Sequence, residues 1–201
     1  ARALGHGGER PHALAAAVEL IHISLALHDD VTEASGGAAD GAHEAALFGN
    51  AGNILLGDLL YTSAFRMIVD LDDMEVMRVL SDATNVIAEG EVAYRELLAA
   101  PASRTPEAWL DIARRRRAKL FEAGAECMAI VHGADPATRS ALARFGLHVG
   151  SAHALRGEAE DAARFGIADA PARAQAEIEA AQAVVDGLAL ADAAALVAVV
   201  E

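Results

Sequence analysis

The chain has 201 residues, of which 54% are hydrophobic and 23% are charged, and its formal net charge is −14. This composition is typical of a globular domain with a sizeable core, and it excludes a disordered chain. The acidic balance argues against nucleic acid, or an anionic membrane surface, as a general partner. The single cysteine, Cys127, cannot form an internal disulfide, so we expect a reducing, cytoplasmic environment. No apolar run reaches the roughly 18 residues needed to cross a bilayer, so a transmembrane protein is not expected.

Apolar residues recur at helical spacing along nearly the whole chain, and no alternating strand pattern appears. The sequence therefore predicts an all-α protein, whose short connections favour antiparallel neighbours in a helix bundle. No shift in composition marks a boundary, so we expect one domain over residues 1–201. The predicted helices cover residues 11–35, 43–69, 73–99, 106–132, 136–156, 158–165, 171–186 and 189–200.

Helix starts have local signals in three places. Thr105 and Asp135 each stand before a proline, and a good N-cap residue followed by proline is typical of a helix start. Asp72, with Glu75 three residues later, fits a capping box. We therefore expect helices to begin directly after Asp72, Thr105 and Asp135.

An apolar helix that ends in carboxylates is the most informative local pattern. Residues 20–33 have the sequence LIHISLALHDDVTE, which ends with Asp29, Asp30 and Glu33. Asp29 and Glu33 are four residues apart and share a helix face, with Asp30 beside them. Clustered carboxylates repel one another unless a cation neutralises them, and Mg²⁺ combines carboxylates with water and phosphate oxygens. From the residues alone, an acidic helix end on an acidic protein is the alternative.

The segments around and after this motif, taken together, carry a resemblance to a known family. In chain order they are HDDVTE (28–33), FGNAGNILLGDLLYTSAF (48–65), NVIAEGEV (85–92), RRAKLFEA (116–123) and FGLHVGSA (145–152). They resemble the HDDxxD, FGN…GD, EGE, KTAxLF and YGxxLGxAFQ segments of the trans-polyprenyl diphosphate synthases. Within that family, the long-chain octaprenyl branch is the most similar.

The resemblance implies an all-α, isoprenoid-synthase-type helix bundle around a central cavity. It also implies that Mg²⁺ ions bridge the aspartate motifs to an allylic diphosphate, and that isopentenyl diphosphate attacks the allylic cation. Asp29 and Asp30 would then be catalytic, and Asp29, Asp30 and Glu33 would be the metal ligands. Arg116 falls on the lysine of the KTAxLF segment and would bind diphosphate. Because the family dimerises, we expect a homo-oligomer, or a hetero-oligomer with a prenyl synthase subunit.

Several positions depart from the family pattern. Glu33 replaces the third aspartate of the first motif, and the paired arginines that follow it fall on Ala38 and Ala39. Arginine binds phosphate through a fork of N–H donors, whereas alanine offers no donor. The upstream GGKR loop of the family would precede residue 1.

The second aspartate motif, FQxxDDxxD in the family, is degraded to HALRGEAED at residues 153–161. An ungapped alignment puts Gly157, Glu158 and Asp161 on the three aspartates, so Glu158 and Asp161 would be a remnant of the motif. A second alignment places residues 160–182 on the last helices of the family. In that case a segment after about residue 156 is missing relative to the family.

Two further features have both a functional and a plain structural interpretation. The run Arg114–Arg117 is the strong basic cluster, and on a helix at most two of its members can face one partner. It would bind diphosphate through Arg116, or form a salt-bridge patch. Ser24, five residues before Asp29, falls where the family gates product length, or it is a small residue at a helix contact.

These departures favour a weakly catalytic or non-catalytic family member of isoprenoid biosynthesis, which acts as a subunit or partner of a prenyltransferase. The alternative is an active Mg²⁺-dependent trans-prenyltransferase that condenses isopentenyl diphosphate with an allylic diphosphate. A third possibility is a binding module that holds an isoprenoid chain without chemistry.

Overall fold

The computed structural model of the protein describes residues 1–5, 8–35 and 49–200. Helices and turns make up these residues, with no strand among them, which confirms the all-α prediction. The α-helices are α1 (Glu9–Ser35), α2 (Gly49–Asp70), α3 (Met74–Ala99), α4 (Pro106–Ala113), α5 (Lys119–Val131), α6 (Pro136–Gly157), α7 (Ala159–Arg164), α8 (Ala170–Asp186) and α9 (Ala194–Val200). Short 3-10 turns cover Arg2–Leu4 and Pro101–Ser103, and a π-helical turn covers Arg114–Ala118.

Some predicted features lie outside the described residues, in the segment 36–48. They are Ala38 and Ala39, at the positions of the paired arginines, Phe48 of the second motif segment, and the predicted start of the second helix.

Within the described ranges, no helix is both long enough and apolar enough to cross a membrane.

The predicted helix starts after Thr105 and Asp135 are confirmed. The Thr105 hydroxyl accepts a hydrogen bond from the Ala108 N–H at 3.2 Å. Oδ1 of Asp135 accepts from the N–H groups of Ala137 and Thr138 at 2.9 and 3.0 Å. Hydrogen bonds to Asp135, above all the one from the Thr138 hydroxyl, hold the pKa of this carboxyl below its usual range.

The predicted start after Asp72 is wrong by one residue. The capping side chain of α3 is Asp73, whose Oδ1 accepts from the N–H groups of Glu75 and Val76 at 3.2 and 3.3 Å. Asp72 has a φ of 52°, in the left-handed region that aspartate tolerates better than most residues. It therefore forms the turn that precedes the cap, and α3 begins at Met74.

By their internal contacts the residues divide into two compact units, of which one is Glu9–Met77. In this unit α1 packs along α2. Ser24 is fully buried, and its hydroxyl donates to the carbonyl oxygen of Gly57 at 2.8 Å. A Cβ at Gly57 would lie 2.6 Å from Cδ2 of His28, so a larger residue there would require the imidazole ring of His28 to move. Ser24 is thus a small residue at the contact between α1 and α2, which is one of its two interpretations from the sequence.

The other unit comprises Ala1–Gly8 and Arg78–Glu201. In this unit α6 packs against α5, α8 and the π-helical turn. Gly150 of α6 meets the turn so closely that a Cβ would lie 2.6 Å from Cα of Ala118. This contact fixes the arginine-bearing turn against the helix that leads to the degraded second motif.

Trp109 is the largest fully buried side chain of this unit, with 1% of its surface exposed. It packs in a cluster with Leu97 of α3, Leu155 of α6 and Phe165, which directly follows α7. These three neighbours come from three different segments of the chain. Burial of so large an aromatic side chain makes this cluster a major source of stability for the unit.

Candidate functional site

The π-helical turn carries the arginine run, and each of its arginines has a carboxylate within ion-pair distance. The pairs are Arg114 with Glu177 at 3.3 Å, Arg115 with Asp111 at 3.7 Å, Arg116 with Glu91 at 2.7 Å and Arg117 with Glu158 at 2.5 Å. Each positive charge of the run therefore has a counter-charge within the protein itself. Arg116 and Arg117 share a partner, because Arg116 also lies 3.9 Å from Glu158.

Arg116, the residue predicted to bind diphosphate, is held inside the unit. Its side chain is 6% exposed, and its Nε donates to Oε1 of Glu91 on α3. Its guanidinium carbon lies 4.0 Å from the ring centroid of Tyr94, one turn further along α3, in a cation–π contact. Gly90 makes room for this side chain, since a Cβ there would lie 3.0 Å from Cγ of Arg116.

Glu158, one of the second-motif residues, lies at the junction of α6 and α7 and faces the same turn. Its Oε1 accepts from Nε of Arg117, while its Oε2 is 3.9 Å from Nη1 of Arg116, beyond hydrogen-bond distance. Oε2 is buried and has no hydrogen-bond partner among the described residues. A buried, incompletely bonded carboxylate oxygen is unfavourable, so this ion pair is not optimally satisfied.

Asp161, the other second-motif residue, is bonded to two aromatic side chains. A single oxygen, Oδ2, accepts from the Tyr94 hydroxyl and from Nε1 of Trp109, both at 2.8 Å. Burial, followed by the hydrogen bond to Asp161, raises the pKa of Tyr94 well above its ordinary value. Asp161 therefore ties α7 to α3 and α4.

Sequence reasoning did not identify Glu91, Tyr94 and Trp109 as members of this cluster. Two signals were available. Glu91 stands in the EGE-like segment, and Tyr94 follows it by three residues on the same face of α3. No pattern in the sequence connects Trp109 with Asp161, because that contact depends on how α4 and α7 pack.

The first acidic motif lies near the C-terminal end of α1, in the other unit. Asp29 is half-buried and Asp30 is exposed, while the Glu33 side chain lies outside the described part of the structure. Next to them, Nε2 of His28 is 3.4 Å from Oδ1 of Asp58 on α2, without hydrogen-bond geometry. Asp29 and Asp30 are hard oxygen donors on adjacent residues, which suits Mg²⁺.

The second-motif residues do not suit a metal ion. One oxygen of Asp161 already accepts two hydrogen bonds, and Glu158 is paired with Arg117. A cation placed at Glu158 would also face the positive charges of Arg116 and Arg117. Among the described residues, no group of three or more histidine, cysteine, aspartate or glutamate side chains has a metal-binding arrangement.

The all-α fold, with an aspartate pair near the end of a long helix and a basic turn packed against a glycine-containing helix, defines an isoprenoid-synthase type of protein. A sequence profile of the polyprenyl synthetase family matches residues 1–162. The chain belongs to that family, which confirms the resemblance found in its motifs.

Relatives with curated functions are similar over most of this chain. Octaprenyl diphosphate synthase of Escherichia coli (strain K12) is 39% identical over 155 residues, which are 77% of this chain and 48% of that enzyme. An all-trans-nonaprenyl-diphosphate synthase (geranyl-diphosphate specific) of Rhodobacter capsulatus is 37% identical over 139 residues, or 69% and 42% of the two chains. The chain spans about half the length of the curated relatives it matches.

Solved structures extend the similarity to nearly the whole chain. A decaprenyl diphosphate synthase from Rhodobacter capsulatus superposes with a TM-score of 0.77 at 25% identity, over 99% of this chain and 79% of that one. A geranylgeranyl pyrophosphate synthetase from the archaeon Geoglobus acetivorans has a TM-score of 0.83 at 20% identity, over 99% and 82%, which shows the shared fold alone.

Proposed function

We propose that the chain serves polyprenyl diphosphate synthesis as a weakly catalytic or non-catalytic member of its family, and that it acts as a subunit or partner of a prenyltransferase. The observation that carries this proposal is the internal pairing of groups that the family uses for diphosphate and metal. Arg116 is bonded to Glu91, and Glu158 is bonded to Arg117. Groups that bond to each other cannot bind a diphosphate or Mg²⁺ without first separating.

Burial strengthens this argument. With 6% of its side chain exposed, Arg116 has little surface on which an incoming anion could bind. Phosphate recognition by arginine depends on a fork of accessible N–H donors. The alanines at positions 38 and 39 support the same conclusion from the sequence, because they offer no donor where the family has paired arginines.

The test compares the purified chain alone with the chain co-expressed beside a catalytically complete family member. Each sample receives an allylic diphosphate, isopentenyl diphosphate and Mg²⁺, and elongated product is quantified. We expect almost no product from the folded chain alone, a stable complex with the complete member, and a higher yield or altered chain length from that complex. Efficient product formation by the chain alone, or no complex at all, would contradict the proposal.

The second candidate is an active Mg²⁺-dependent trans-prenyltransferase, which the retained Asp29 and Asp30 and the 39% identity to an octaprenyl diphosphate synthase favour. In such an enzyme Asp29, Asp30 and Glu33 would hold Mg²⁺, which neutralises the departing diphosphate when it is bound. Activity that Asp29→Ala abolishes, while Asp82→Ala on the exposed side of α3 leaves it unchanged, would select this candidate. Isoprenoid binding without metal dependence would instead select a binding module.

A further inference from the structure

We propose that Glu158 is a built-in competitor for the diphosphate group at Arg116 and Arg117. Its carboxylate takes the place of an anion at these two arginines and sets their affinity for diphosphates. This inference deepens the proposed function and rests on its argument that carboxylates of the chain itself occupy the arginines of the diphosphate-binding turn. It assigns to Glu158 a role opposite to metal binding, because the carboxylate neutralises cations of the protein.

Geometry is the first argument. The two oxygens of Glu158 are directed at two adjacent guanidinium groups, at 2.5 Å from Arg117 Nε and 3.9 Å from Arg116 Nη1. A carboxylate that spans two guanidinium groups has the charge and the oxygen spacing of part of a phosphate group. An anion that is to bind Nε of Arg117 must therefore displace the Glu158 carboxylate.

Charge balance is the second argument. Arg116 is also paired with Glu91, so each of the two arginines has a carboxylate at ion-pair distance. A diphosphate that entered with Glu158 in place would face like charge at a few ångströms, in surroundings that screen it poorly. Removal of the Glu158 charge would take one negative charge away from the surface at which Arg117, with 26% of its side chain exposed, can be reached by an anion.

The third argument is that one carboxylate oxygen of Glu158 lacks a hydrogen-bond partner in the described part of the chain. Its Oε2 is buried and has no hydrogen-bond partner among the described residues. The ion pair is therefore strained enough to be exchanged for an anion that satisfies the arginines better. By contrast Asp161, three residues later, accepts two hydrogen bonds at 2.8 Å and is expected to stay in place.

The test measures binding of inorganic pyrophosphate by isothermal titration calorimetry at constant ionic strength, without added metal. Glu158→Gln preserves the shape of the side chain and removes its charge. We expect this variant to bind pyrophosphate about tenfold more tightly than the parent, or more, since a like charge near the anion is lost. Glu160→Gln, which removes the same charge from an exposed neighbour, is the matched control and is expected to leave the affinity unchanged.

A second substitution identifies the arginine that binds. In the Glu158→Gln background, Arg117→Gln should return the affinity to the parental level. Geranyl diphosphate, tested beside pyrophosphate, should show the same ratio between Glu158→Gln and parent, because the recognised chemistry is the diphosphate group. A ratio confined to geranyl diphosphate would overturn the inference, since Glu158 would then act on the prenyl chain.

Other outcomes overturn the inference independently of the proposed function. Equal affinities of parent and Glu158→Gln, or a gain that Arg117→Gln does not reverse, would contradict the competitor role. If Glu158→Gln does not fold, Glu158→Asp keeps the charge but withdraws it by one methylene group, and a smaller gain is expected from it, with no gain counting against the proposal. Product formation by the parent chain would contradict the weak activity proposed above and leave this affinity series intact.

Discussion

The two acidic regions of the chain have similar chemistry in the sequence and different surroundings in the structure. Asp29 and Asp30 lie near the C-terminal end of α1, with Asp29 half-buried and Asp30 exposed. Glu158 directly precedes α7 and Asp161 lies in its first turn, and the two bond to arginine, tyrosine and tryptophan side chains of their own unit. The difference teaches that a carboxylate in a motif position is available to a ligand only when the protein has not already supplied its partners. In the second region the carboxylates therefore hold parts of their own unit together.

The largest expected effect comes from the loss of the Asp161 carboxylate. Asp161→Ala leaves the Tyr94 hydroxyl and the Trp109 N–H without their acceptor, so the free energy of unfolding should fall by about 2–4 kcal/mol. Urea denaturation measures this loss. Asp30→Ala is the matched control in the first region and should change stability by no more than about 0.5 kcal/mol. Equal losses in the two variants would remove the distinction between the two regions.

The contact that places the arginine turn beside Glu158 is expected to have the next largest effect. Gly150→Ala puts a methyl group 2.6 Å from the Ala118 backbone, and overpacking of this kind costs about 1–3 kcal/mol. The same substitution at Gly157, where a Cβ meets nothing within 4 Å, is the control and should leave stability nearly unchanged. Thermal unfolding followed by circular dichroism compares the two, and a Gly150→Ala protein as stable as its Gly157→Ala counterpart would disprove the close approach.

A smaller effect is expected in the unit that holds the first acidic region. Ser24→Ala removes the buried hydrogen bond to the Gly57 carbonyl and should lower the free energy of unfolding by about 1 kcal/mol. The measurement is again urea denaturation, with Ser63→Ala on α2, outside the contact to Gly57, for comparison. A change in the length of product from a catalytic complex, with stability unaltered, would favour the length-gating interpretation of Ser24 over the packing one.

The substitution with the smallest expected effect on stability at neutral pH is at Tyr94, whose titration becomes visible only at high pH. Burial and the bond to Asp161 raise its pKa in the folded state above the unfolded value of 10.0, so the stabilisation is complete below pH 10 and is lost as pH rises towards the folded pKa. Phenolate absorbance should show a late titration that is missing in Tyr94→Phe. Asp161→Asn should bring this titration to lower pH without restoring the ordinary value, because burial remains. A titration that Asp161→Asn leaves unaltered would show that the hydrogen bond is absent.

The sequence predicted which residues of the site matter, but not the residues to which they bond. The motifs correctly indicated the family, and they named Arg116, Glu158 and Asp161 as residues of interest. They could not indicate that these residues bond within the protein, because the partners are distant in the chain. Glu158 and Arg117 are 41 residues apart, and Asp161 is 52 residues from Trp109 and 67 from Tyr94.

What the sequence determined by itself is the part that depends on near neighbours. Helical periodicity produced the all-α prediction, and the N-caps at Thr105 and Asp135 placed two helix starts, because capping joins residues within one turn. Tertiary structure alone decided which charges are neutralised. Close approach of α6 to the arginine turn at Gly150 brings Glu158 to Arg117, and the burial of Trp109 directs its N–H to Asp161. An ion pair or a buried hydrogen bond forms only where packing has brought its two groups together, and that distance is not encoded in either residue.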